Sequence, residues 1–185
     1  MNFLDNHDKN SYENTIMSAF GADAIPVLFS LIYTIPGVPL VYTGDEIGLD
    51  HFIAFMEKDT VDWDGANVSY RELLAELAGI RGGNEALYSG NYGGAIEYAD
   101  LGDNAVFAFT REKNGNVVAC LFNLTKREST VDPAGLFEGC DTVLLHGQGA
   151  DMLDMEDQPL ANAGLGGELT LRPWEFWIVS GGNAE

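Results

Sequence analysis

The chain has 185 residues, 46% of them hydrophobic, and sets 29 acidic against 9 basic side chains for a formal net charge of -20. Such a charge repels nucleic acid and anionic membrane surfaces but not a neutral polysaccharide, and the length and apolar content support one sizeable core or two small ones rather than a disordered tail. The acids are spread, 13 against 4 bases in residues 1–82 and 16 against 5 in residues 83–185, which marks a solvated acidic surface rather than an acidic arm.

Residues 3–8, F-L-D-N-H-D, read as the end of an apolar strand running into the polar cluster Asn6-His7-Asp8. Before them there is no charged n-region, apolar h-region and small-residue cleavage site, so no signal peptide is visible and the sequence assigns no compartment. Between Asp23 and Asp45 lie 21 uncharged residues, long enough to cross a membrane, but Pro26, Pro36, Gly37 and Pro39 argue against a span. The better reading is a buried helix, with Asp23 as N-cap and Pro26 in its first turn, that runs to about Tyr33 and stops at Pro36-Gly37. Pro39 to Thr43 then reads as a strand apolar on both faces, as a parallel strand covered by helices must be, and it empties into the turn Gly44-Asp45-Glu46.

Ser69 to Arg81 predicts one more helix. Ser69 and Glu72 suit a capping box, Leu73, Leu74, Leu77 and Ile80 form one apolar face, and Gly82-Gly83 supplies a stop that also serves as the domain boundary, dividing residues 1–82 from 83–185. Beyond it the period becomes strand-like. The runs Ala105 to Arg111 and Val117 to Leu124 flank Lys113-Asn114-Gly115-Asn116, a strong hairpin signal. Further runs follow at Thr142 to Leu145, Glu168 to Leu171 and Trp174 to Val179, with Gly147 to Gly167 as an irregular excursion. Phe107 and Phe109 share one strand face, as do Val118, Cys120, Phe122 and Leu124 on the next. Short antiparallel strands with apolar faces argue for a small β-sandwich. Cys120 and Cys140 permit one disulfide, but Cys120 within a core strand reads as a buried thiol.

Together N-H-D at residues 6–8 and G-V-P-L-V-Y-T-G-D-E at residues 37–46 resemble the seventh and eighth strands of the α-amylase family, glycoside hydrolase family 13. The resemblance implies a mixed fold, α/β plus all-β: the last two strand-helix units of a (β/α)8 TIM barrel, then a C-terminal antiparallel β-sandwich. It implies α-glucosidic bond cleavage or transfer with retention by the parent enzyme, acting on an α-glucan or oligosaccharide. Asp8 would be the third catalytic carboxylate, holding sugar hydroxyls at the bond that breaks, and His7 would donate a hydrogen bond to the same sugar. The family's nucleophile and acid/base lie on its fourth and fifth strands, so this chain alone is expected to be inactive. Two strands cannot close a barrel, and self-association through the exposed barrel edge is expected.

Residues 55–63, F-M-E-K-D-T-V-D-W, fall where many relatives carry an Asp and an Arg that grip sugar; here those positions hold Phe55 and Lys58. A lysine lacks the bidentate geometry of arginine, so Lys58 is either a substrate contact or a surface lysine paired to Glu57 or Asp59. Asp45-Glu46 tempts as a catalytic pair, but neighbours on an extended segment point apart, and in the family this stretch is mainly structural. His51 and His146 lack metal-like partners at useful spacing; no metal, cofactor or phosphate loop is expected. Asn67 and Asn123 match the glycosylation acceptor pattern. The rival reading is a non-enzymatic carbohydrate-binding or structural β-domain, with Tyr88, Tyr92, Tyr98, Trp174, Phe176 and Trp177 as aromatic candidates and Trp177 as the one whose strand register turns it away from the core face.

Overall fold

The computed structural model describes residues 1–64, 70–150 and 158–182. Strand β1 (Asn2–Phe3) is followed by helices α1 (His7–Tyr12), α2 (Ile16–Phe20) and α3 (Ala24–Thr34), and then by β2 (Pro39–Leu40), which lies parallel to β1 with Asn2 opposite Pro39 and Phe3 opposite Leu40. The strand expected over Pro39 to Thr43 is thus only two residues long. It ends because the Tyr42 N–H donates to Asp45 Oδ2 at 2.9 Å and the Asp45 N–H donates to the Tyr42 carbonyl at 3.0 Å, which turns the chain out of the ladder.

Helix α3 forms as its uncharged sequence predicts and is buried on nearly every side, through Ile25, Val27, Phe29 and Ile32. Its two buried hydroxyls are satisfied internally, Ser30 Oγ donating to the Pro26 carbonyl and Thr34 Oγ1 to the Ser30 carbonyl. Asp23 precedes the helix but makes no side-chain cap, contrary to expectation. Its backbone is already helical, and Pro26 stands at the third helical position, where a capping side chain would need an N–H. No helix among the described residues is long and apolar enough to cross a membrane.

Helix α4 (Arg71–Gly83) buries Leu73, Leu74, Leu77 and Ile80, the face its periodicity predicts. The proposed capping residue Ser69 lies outside the described residues. The helix ends two residues beyond the expected Arg81: Gly82 and Gly83 stay in it, and Asn84 ends it by donating from Nδ2 to the Ile80 carbonyl at 2.8 Å.

The remaining strands are β3 (Ile96–Ala99), β4 (Val106–Lys113), β5 (Asn116–Asn123), β6 (Ser129–Val131), β7 (Thr142–Gln148), β8 (Gln158–Pro159), β9 (Leu169–Leu171) and β10 (Glu175–Gly181). Six of them form an antiparallel sheet in the order β3-β4-β5-β10-β7-β8, while β6 and β9 pair separately. The β4–β5 hairpin turns at Asn114 and Gly115, both at positive φ (52° and 83°), as the Asn-Gly pair predicts. Strands β6 and β8 carry too few apolar residues to announce themselves, and β3 is only four residues long.

Both faces of the large sheet are covered. Phe109, Cys120, Phe122, Phe176 and Ile178 join one core with Phe29, Leu77 and Ile80 of the helices. Ala108, Ala119, Leu121, Trp177 and Val179 form a second core with Val131, Leu136, Phe137, Leu165 and Leu171. The aromatic rings of Phe107 and Phe109 on β4, Phe122 on β5 and Phe176 on β10 run across three strands of the first face at successive centroid spacings of 5.5, 6.1 and 6.1 Å. Cys120 and Cys140 are both free thiols, and burial pushes the Cys140 thiol up to about 11.

Two arginines fasten the end of α3, one from the sheet and one from α4. Arg111 of β4, only 1% exposed, donates to the carbonyls of Thr34, Leu87, Tyr88 and Gly94, and Arg81 of α4 donates to those of Tyr33 and Gly37. Tyr33 and Thr34 belong to the last turn of α3, whose carbonyls have no partners within the helix and carry the negative end of its dipole. Burial lowers the Arg111 guanidinium to about 10, so it keeps its charge at neutral pH.

Candidate functional site

The segment following β1 divides sharply at Asn6. Leu4 and Asp5 are buried, whereas the side chains of His7 and Asp8 are 60% and 68% exposed, with His7 Nε2 3.4 Å from Asp8 Oδ1. Asn6 has extended backbone and accepts the Lys9 N–H at 2.9 Å, so it is the N-cap that starts α1. Capping therefore accounts for Asn6 but not for His7 or Asp8, which stand free of the backbone on the first turn.

Helix α1 is tied to the segment around residues 50–60. Asn10, 2% exposed, donates to the His51 carbonyl at 3.2 Å and accepts the Ile53 N–H at 2.8 Å, Ser11 Oγ donates to the Ile53 carbonyl at 2.8 Å, and Thr15 Oγ1 donates to Asp50. The clamp brings Phe55 against His7, stacked at 5.9 Å and 20°, and against Tyr12 at 5.7 Å and 48°. Neither Asn10 nor Tyr12 stands out in the sequence; the only signal is an amide at a helical position where an apolar residue would be expected to face the core.

Lys58 lies exposed on the same segment. Neither expected pairing, with Glu57 or with Asp59, forms, and Asp59 instead accepts from His51 Nε2 at 2.9 Å and from the N–H groups of Ala54 and Thr60 at 2.8 and 2.7 Å. Those two N–H groups and His51 hold the Asp59 carboxyl down at about 2. His51 is accordingly part of the loop's internal bonding.

After β2, Asp45 is buried and Glu46 half-buried. Glu46 Oε2 accepts the Gly44 N–H at 3.0 Å and the Glu46 carbonyl accepts the Tyr70 N–H at 2.9 Å, so both ends of this residue brace the turn. Burial pushes Asp45 up to about 7 against the opposing Tyr42 N–H bond, with Asp5 and Glu46 adding repulsion. Burial raises Asp5 as well, against the N–H of Asn6.

One expectation for the sheet region changes. Trp177 is not an outward-facing ring: it is 8% exposed and stacks on His146 at 3.5 Å, because the layer built on β6 and β9 covers the face that strand alternation alone would leave to solvent. His146 forms a buried pair with Glu175, Nε2 to Oε1 at 2.9 Å, which with the Arg172 N–H draws the Glu175 carboxyl below its ordinary value although burial opposes this. Asn123 is fully buried, its Nδ2 donating to the carbonyls of Arg127 and Arg172 and its Oδ1 accepting from Thr125, so it cannot accept a glycan in the folded chain. Asn67 lies outside the described residues. Among the described residues no three His, Cys, Asp or Glu side chains converge as a metal site would require.

No protein-family model matches the chain. Alpha-amylase MalA of Haloarcula japonica is 28% identical over 146 residues, covering 77% of the chain and 20% of that protein. A 4-alpha-glucanotransferase of Thermotoga maritima is 39% identical over 49 residues, 26% of the chain and 11% of that protein. Among solved structures, the noncanonic maltogenic alpha-amylase AmyB from Thermotoga neapolitana superposes on 97% of the chain and 40% of its own at a TM-score of 0.70 and 18% identity. The chain resembles the C-terminal part of α-amylase-family proteins. It spans only a minor part of each of these three proteins, and within that α-amylase-like part the exposed His7-Asp8 pair follows the first of two parallel strands.

Proposed function

We propose that the chain is the C-terminal part of a retaining glycoside hydrolase acting on α-glucosidic bonds. In this reading β1 and β2 are the last two strands of a (β/α)8 barrel, residues 83–185 form its C-terminal β-domain, and the substrate is a neutral α-glucan or oligosaccharide. The observation that carries the reading is the free His7-Asp8 pair immediately after a strand of a parallel pair, the position where barrel enzymes of this architecture place site residues. Asp8 holds hydroxyls of the sugar that becomes positively charged in the transition state, His7 donates to the same sugar, and Lys58 contacts substrate from the neighbouring segment. A carboxylate in that role lowers the barrier by binding the transition state more tightly than the ground state.

Retention needs a carboxylate nucleophile and a carboxylic acid about 5–5.5 Å apart. Asp5 and Asp45 are buried and Glu46 is bound to its own turn, so none offers that pair. We therefore propose that the chain alone is inactive, and that the open edges of β1 and β2 promote self-association. Incubated with soluble starch, the 185-residue chain is expected to release no reducing sugar; release that Asp8→Ala abolishes would overturn this. In a longer protein carrying this segment behind the missing strand-helix units, Asp8→Asn should lower kcat on the order of 10³-fold with little change in KM, the pattern of a group that acts in the transition state.

A further inference from the structure

Helix α1 carries His7 and Asp8 on its first turn, yet it has only six residues, far short of the ~12–15 at which an isolated helix becomes stable in water. Its place depends on tertiary contacts, and hydrophobic packing supplies little of that: Leu4 and Ile16 enter the core on either side, whereas the one buried residue of the helix is an amide, Asn10. Asn10 pairs as a backbone would. Its Nδ2 donates to the His51 carbonyl at 3.2 Å and its Oδ1 accepts the Ile53 N–H at 2.8 Å, so one carboxamide engages the groups on either side of Phe52, as a residue of a neighbouring parallel strand does. Ser11 adds a third bond, from Oγ to the Ile53 carbonyl at 2.8 Å. The segment held in this way is itself closed, because Asp59 accepts from His51 Nε2 and from the N–H groups of Ala54 and Thr60. One hydrogen bond between two segments is a pivot; three, spread over two residues on each side, remove the pivot. A leucine at position 10 would fill the volume, but hydrophobic contact is non-directional and the Ile53 N–H would be stranded.

We propose that Asn10 and Ser11 are positioning residues for His7 and Asp8, clasping α1 to residues 51–53 so that its first turn presents both side chains in one fixed orientation; this rests on the glycoside-hydrolase reading of that pair. Neither residue touches substrate. Their effect is on the placement of groups that act in the transition state, where a misplacement of about 1 Å costs on the order of 10²-fold in rate.

The test reads His7 directly in the 185-residue chain, which has only three histidines and so a simple set of imidazole C2–H signals by NMR. Phe55, stacked 5.9 Å from His7, shifts that residue's signal through its ring current. In Asn10→Leu the His7 signal should move to the position it takes in Phe55→Leu, while that of His146, buried in the sheet, stays in place and reports an intact fold. Ser11, half-buried, gives a second pair of variants that disturb the fold less: Ser11→Ala should move the His7 signal part of the way, and Ser11→Thr, which keeps the hydroxyl, should leave it at the parent position. A parent-like His7 signal in both Asn10→Leu and Ser11→Ala would overturn the clasp. In a longer protein carrying this segment, Asn10→Leu should lower kcat on the order of 10²-fold with KM within about twofold of the parent; an unchanged kcat there, beside a lowered one in Asp8→Asn, would overturn the positioning role. An unaltered kcat in Asp8→Asn beside a displaced His7 signal in Asn10→Leu would instead remove the glycoside-hydrolase reading and leave the clasp standing.

Discussion

Strands β5 and β2 are both apolar, and the contrast between them shows what decides strand length. β5 has a partner on each side, β4 and β10, and a core on each face; its eight residues are buried almost throughout. β2 has β1 alone, keeps two ladder residues and leaves them half-buried. Hydrophobicity made both segments eligible; β5 is paired along its length by two neighbours, whereas β2 ends where the Tyr42–Asp45 turn takes the chain out of its ladder. The same contrast separates two kinds of surface: the central strands β5 and β10 hide Phe122, Phe176 and Trp177, while the segment beside β1 displays Tyr12, Phe55 and Met56 to solvent.

If the sheet and the helices share one core, damage to β5 should be felt throughout the chain. Phe122→Ala is expected to cost about 3–5 kcal/mol, read as a lower urea midpoint with unchanged m-value. A loss below about 1 kcal/mol would mean that the sheet is not the anchor. Arg111→Leu tests the fastening between the two regions, since it strips donors from four carbonyls while keeping apolar bulk. The expected cost is about 3 kcal/mol, with faster hydrogen exchange at the end of α3; equal protection there would show that packing alone secures the helix.

The smallest effect belongs to the β2 side and depends on pH. Asp45 has a folded value of about 7, above that of an unfolded aspartate, so the native state binds more protons than the unfolded chain between about pH 4 and 7. Stability therefore falls as pH rises through that window, and the raised Asp5 adds the same sign. Asp45→Asn, which keeps an oxygen for the Tyr42 N–H, should flatten the decline of the thermal midpoint between pH 5 and 8. A slope identical to the parent's would place the titrating group elsewhere.

Local chemistry in the sequence carried the parts governed by adjacent residues. Asn114-Gly115 set a hairpin turn, Pro36-Gly37 followed the end of α3, and the leucines of α4 marked its buried face. Where a distant partner decides, the sequence misled. Gly82-Gly83 looked like a helix stop, yet Asn84 could reach the Ile80 carbonyl and the helix ran on. Trp177 looked outward because its cover comes from three-residue strands paired across some forty positions of chain, Ser129 with Leu171 at one end. In the candidate site, the polar motif was legible as a string of three letters. Its aromatic surroundings were not, because Phe55 is brought to His7 by the bonds that Asn10 and Ser11 make to residues 51 and 53.

The turn between β4 and β5 also sets a chemical clock. An Asn followed by Gly is prone to lose its side-chain ammonia through attack by the next backbone nitrogen, and Asn114-Gly115 is such a pair. Here the amide does more than shape the turn: Asn114 Nδ2 donates to Glu85 Oε2 at 2.7 Å, joining the hairpin tip to the turn that follows α4. Deamidation would replace that donor with a second carboxylate facing the first. Ageing of the chain would thus begin as a local repulsion at one corner of the hairpin, in a molecule already crowded with negative charge.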